Sequence, residues 1–114
     1  MKLLQIWQSV ATELQIEIEV PNSFSLPNGE KINVEFIVKN FGAPNGMLIV
    51  SDYSSIQPFT EKILNAGYGY STLDEPLDKE ECSKENMKEI LNDWGWCGPD
   101  NLKPNWIKPE TRKT

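Results

Sequence analysis

A chain of 114 residues with 39% hydrophobic and 25% charged side chains can build one domain around one modest core. Its 17 acidic and 11 basic residues leave a net charge of −6, which offers no cationic stripe to free nucleic acid, and no run approaches the ~20 apolar residues of a membrane span. The absence of histidine removes Ser-His and Cys-His nucleophile pairs, imidazole acid–base chemistry and most zinc sites. No GxxxxGK[ST] or GxGxxG phosphate cradle occurs either.

The first dozen residues support two readings. Leu3, Trp7, Val10, Ala11 and Leu14 fit helical spacing, whereas Leu4, Ile6 and Val10 fit a strand. Gln5, Gln8 and Ser9 interrupt the apolar stretch that a signal peptide requires, so the expectation is a cytoplasmic protein. Residues 13–20, ELQIEIEV, alternate strictly and predict a strand with Leu14, Ile16, Ile18 and Val20 inward and Glu13, Gln15, Glu17 and Glu19 outward. Pro21, lacking an N–H, ends it. LPNGE (26–30) and FGAPNG (41–46) are Pro-Asn-Gly turns. KINVEFIVKN alternates through Ile32, Val34, Phe36 and Val38, and MLIVSDY is a continuous apolar run; together they predict a hairpin with a long loop.

SSIQPFTEKILNAG (54–67) predicts a helix capped by Ser54 or Ser55, with Pro58 in its first turn, Ile56, Phe59 and Ile63 on one face and Gly67 as the stop. YGYSTL (68–73) follows as a short strand, and the strand–helix–strand order permits one parallel pairing. A second helix is predicted from Asp78 or Ser83 to Trp94, with Met87, Ile90, Leu91 and Trp94 as its apolar stripe and Gly95 at its end. Residues 95–107 read as a Pro- and Gly-punctuated loop and 108–114 as a flexible basic tail. The expected fold is a single α+β domain over residues 1–107, a mainly antiparallel sheet of about four strands with two helices packed on one face.

Charge is concentrated late in the chain. Residues 74–93 hold eight acids against three lysines, a local net of −5. On a helix Glu81, Glu85, Glu89 and Asp93 are successive i, i+4 neighbours and form one acidic stripe, with Asp78 just ahead of it. Like charges at that spacing cost a few tenths of a kcal/mol per pair, partly offset here by Glu80 with Lys84 and Glu85 with Lys88. Glu89 and Asp93 also oppose the helix dipole. Solubility alone explains a net charge of this size, but a self-repelling stripe fits a surface that meets a basic partner.

The stripe leads into DWGWCGPDNLKPNWI (93–107), which carries three of the four tryptophans. Trp94 belongs to the core stripe, and Trp106 with Ile107 pins the tail between Pro104 and Pro109. Trp96, across Gly95 from the helix, either folds back over the sheet or projects as an aromatic anchor. Cys82 and Cys97 read as small, partly buried hydrophobes kept as thiols, with a disulfide between them as the alternative in an oxidising compartment.

Three stretches, PNGMLIVSDY (44–53), GYGYSTLDEP (67–76) and DWGWCGPDNLKPNWI, together with the small acidic chain, resemble the immunity proteins of bacterial toxin–immunity systems of the contact-dependent growth inhibition type. The resemblance implies a cytoplasmic, non-enzymatic protein, monomeric when free and without cofactor or metal. It would bind a cognate toxin domain, basic and of nuclease type, and block its active site. The charge pattern then assigns partner contacts to Asp78, Glu81, Glu85, Glu89, Asp93 and Trp96. Two other readings stay open: a small-molecule binder or enzyme using Asp52, Tyr53 or the carboxylates near 74–78, and a structural or adaptor subunit.

Overall fold

The computed structural model describes residues 3–72 and 83–107, with Leu3 described by its backbone alone. The ambiguous opening is a helix, α1 (Leu3–Leu14), because Trp7, Val10, Ala11 and Leu14 all turn into the core at helical spacing. It stops at Gln15, held at φ 61, where the Ile16 N–H donates to the Ala11 carbonyl at 2.8 Å in the manner of a Schellman cap. Glu13 and Leu14 therefore leave the expected strand, which contracts to β1 (Ile18–Glu19). Ile16 is buried as expected, but Val20 lies 47% exposed beyond the pairing.

The next segment divides between two sheets. β2 (Phe24–Ser25) pairs antiparallel with β3 (Lys31–Ile32) around the 26–30 turn, where Gly29 at φ 93 donates to the Leu26 carbonyl. β4 (Phe36–Val38) joins a separate sheet with β1, β5 (Gly46–Val50) and β6 (Tyr68–Thr72), in the order β1-β4-β5-β6. β1, β4 and β5 are antiparallel neighbours, and β6 runs parallel to β5. The expected β4–β5 hairpin and the parallel pairing are both present. The architecture is α+β, with a mixed, mostly antiparallel four-stranded sheet.

The crossover from β5 to β6 departs from the single helix expected at 54–67. Tyr53–Ser55 and Gln57–Phe59 are 3-10 turns, and only α2 (Thr60–Asn65) is α-helical. Pro58 disfavours α geometry at Gln57, which accounts for the tighter start. Asp52, not Ser54 or Ser55, supplies the side-chain cap.

Register sorts the apolar side chains. Phe36 opposes Ile49 and Val38 opposes Met47, and these four pack with α1 and with α3 (Lys84–Trp94). Ile37 opposes Leu48, and with Val50 they face the other way, onto Ile56, Ile63 of α2, and Leu26 and Ile32 of the small hairpin. The two expected helices thus cover opposite faces of the sheet instead of one. β5 is buried at all five positions, and such two-sided burial is what a continuous apolar run signals.

α3 begins at Ser83, whose hydroxyl accepts from the Asn86 N–H at 3.3 Å, and ends at Gly95, φ 80. The chain then runs beside residues 40–42. Gly95 accepts from the Gly42 N–H at 3.2 Å, Cys97 donates to the Asn40 carbonyl at 2.7 Å, and Phe41 and Trp96 form a β-bridge. Ile107 returns to the α1–α3 core.

Candidate partner-binding face on α3

At 3.6 residues per turn, Glu85, Glu89 and Asp93 fall on the side of α3 opposite Met87 and Leu91. Met87 and Leu91 are fully buried, and all three acids are exposed. The structure brings these three together as a solvent-facing ridge. Among the described residues none of them has an ion-pair partner; the ion pairs there are Lys39–Glu19 at 3.0 Å and Lys62–Glu30 at 2.9 Å. The anticipated Glu85–Lys88 pairing is not made. Lys84 and Lys88 instead line a groove against the end of α1 and the 101–106 segment. Asp78 and Glu81, and with them the Glu80–Lys84 pair, lie outside the described residues.

Trp96 is folded back on the body of the protein. Its ring meets Phe41 edge-on, with centroids 5.2 Å apart and planes at 75°, and its indole N–H donates to the Pro99 carbonyl at 3.0 Å. A Cβ on Gly98 would come within 2.5 Å of the indole, so the loop backbone presses directly against the ring. Trp94 stacks on Trp7, with centroids 5.7 Å apart and planes 10° apart, and Trp106 packs against the same core. Trp94, at the end of α3, and Trp96 and Trp106 beyond it therefore fasten the C-terminal segment to α1 and the sheet, which explains so many aromatic side chains in a stretch with little regular structure.

Asp52 and Tyr53 sit on the surface past β5. The Asp52 carboxylate accepts from the Ser54 hydroxyl at 2.6 Å and the Ser55 N–H at 2.9 Å, and these bonds hold its pKa below the ordinary carboxylate value. A depressed, committed carboxylate suits a cap better than an acid–base catalyst. The Tyr53 ring lies beside Tyr70 at 6.1 Å. Asp74, Glu75 and Asp78 fall outside the described residues. So does Cys82, and hence the disulfide alternative; Cys97 is a half-buried free thiol.

The described residues contain no group of three or more metal-ligating side chains and no helix long and apolar enough to cross a membrane. The groove lined by Lys84, Lys88 and Lys103 was not anticipated from sequence, although the i, i+4 spacing of the first two was a partial signal. Comparison with protein-family models, with curated proteins and with solved structures returns no match.

Proposed function

We propose that the protein is a cytoplasmic immunity protein that binds and blocks a basic, nuclease-type toxin domain through the acidic ridge of α3. The supporting observation is the ridge itself: Glu85, Glu89 and Asp93 stand in line, exposed and without ion-pair partners among the described residues. Asp93 sits in the last turn, where the helix dipole disfavours an anion. A row of charges that destabilises the free helix is relieved by a cationic cleft, and the same cleft would otherwise hold nucleic acid phosphates. Asp78 and Glu81 extend the contact in this reading. Trp96 adds only the part of its ring that Phe41 and Gly98 leave uncovered. The protein acts as a monomer that pairs with one toxin domain, and catalysis plays no part.

The test is co-expression with the product of the reading frame immediately upstream, scoring growth rescue and co-purification together. Rescue with a complex that weakens steeply as salt rises is the expected result. The double variant Glu85→Lys/Glu89→Lys should weaken binding by at least about a hundredfold, since each close interfacial charge pair couples by about 1.5 kcal/mol or more. Unchanged affinity in that variant would remove the ridge from the interface, and a harmless or non-binding upstream product would remove the immunity role.

A further inference from the structure

On the flank of α3 next to the acidic ridge, the charge reverses. Lys84 and Lys88, one helical turn apart, line a groove of about 530 Å³ together with Lys103, Asn101, Trp106 and Glu13. That volume is in the range of small-molecule sites. The groove is assembled from three separate parts of the chain: the end of α1, the first turns of α3 and residues 101–106, which begin within the 3-10 turn Asp100–Leu102. Among the described residues, three ammonium groups against one carboxylate make the lining cationic in a protein of net charge −6.

Among the described residues the lysines are also uncommitted. Lys39 and Lys62 each hold a glutamate near 3 Å, yet Lys84, Lys88 and Lys103 form no ion pair with any described residue. Glu85 is available one turn from Lys88 and does not take it. Lys88 and Lys103 are partly buried, so part of their hydration is lost without an ion-pair partner among the described residues in return.

We infer that this groove binds a small phosphate monoester bearing a flat ring. Compact ammonium charges suit the three oxygens of a phosphate, whereas planar recognition of a carboxylate favours arginine, and no arginine is among the described lining residues. The Trp106 indole supplies an apolar wall for a ring, and Asn101 offers both a donor and an acceptor to polar groups on it. Glu13 repels a second anionic group and accepts from a hydroxyl or amine, so the preferred ligand is charged at one end and neutral at the other. The site is independent of the acidic ridge and of any toxin, and either assignment can fail without the other.

The experiment is a titration of the full chain with adenosine monophosphate, adenosine and inorganic phosphate, followed by tryptophan fluorescence and by the lysine side-chain NMR signals. Adenosine monophosphate should bind saturably, shift Lys84, Lys88 and Lys103 and quench tryptophan emission. Adenosine should not bind, and inorganic phosphate should move the same lysines more weakly. Lys84→Gln/Lys88→Gln should weaken binding by about tenfold or more while leaving the thermal midpoint unchanged. Lys103→Gln provides a second reading through a residue outside α3. Absence of saturable binding by adenosine monophosphate overturns the inference. So does affinity that survives Lys103→Gln and the double substitution, or a ligand response confined to residues away from the groove.

Discussion

Replacing Trp96 by alanine separates its two possible roles, a fastening for the loop or a contact for a partner. An indole presents ~200 Å² and is here largely covered, so at ~25 cal/mol/Å² its loss costs about 3 kcal/mol. The N–H bond to the Pro99 carbonyl adds about 1 kcal/mol. Unfolding entropy of ~2.1 cal/mol/K per residue over 114 residues is about 0.24 kcal/mol/K, so a combined loss of about 4 kcal/mol should lower the midpoint by about 17 °C. Far-UV circular dichroism during heating measures this without depending on the fluorophore removed. Trp96→Phe is the graded arm: it keeps a ring against Phe41, loses the N–H bond, and should cost about 1 kcal/mol, or roughly 4 °C. An alanine variant that melts within about 2 °C of the parent but no longer binds its partner would refute the reasoning and make Trp96 a surface anchor.

Gly46 sits at φ 115, and a Cβ there would lie 2.8 Å from the Val38 carbonyl oxygen, so Gly46→Ala should destabilise by about 2 kcal/mol or more in urea unfolding, through strain and a pushed-apart β4–β5 pair. Asp52 should titrate below its ordinary value of 3.8, and Ser54→Ala should move the midpoint upward in a carbon-detected NMR titration. Because the folded-state pKa is the lower one, the stabilisation from Asp52 is complete above the unfolded value and is lost as pH falls through the folded value.

Legibility in the sequence followed the range of the interaction. The acidic stripe was visible because i, i+4 spacing is a local property of a helix, and Glu85, Glu89 and Asp93 fall where that geometry puts them. The β4–β5 hairpin was visible because its alternating and continuous apolar runs flank a Pro-Asn-Gly turn. The division of KINVEFIVKN into β3 and β4 was not, since the alternation continues unbroken across Asn33–Glu35 while the two halves find different partners. The lysine groove was hidden apart from the i, i+4 spacing of Lys84 and Lys88. Glu13, Lys88 and Lys103 are far apart in the chain and meet only once α1 and α3 have packed together.

By itself the sequence determined an α+β chain, the spacing of its turns, the lack of imidazole chemistry and the concentration of acid over residues 74–93, all consequences of composition or of periodicity over a few residues. Tertiary structure decided the rest. The first dozen residues fit two periods, and burial of Trp7 against Trp94 and Phe36 selects the helix. Which face of the sheet each helix covers depends on strand register, which places Phe36 and Ile49 toward α3 and Leu48 toward α2. The direction in which Trp96 points depends on Phe41, more than fifty residues earlier. These choices rest on contacts between distant segments, and no local window of sequence contains both partners.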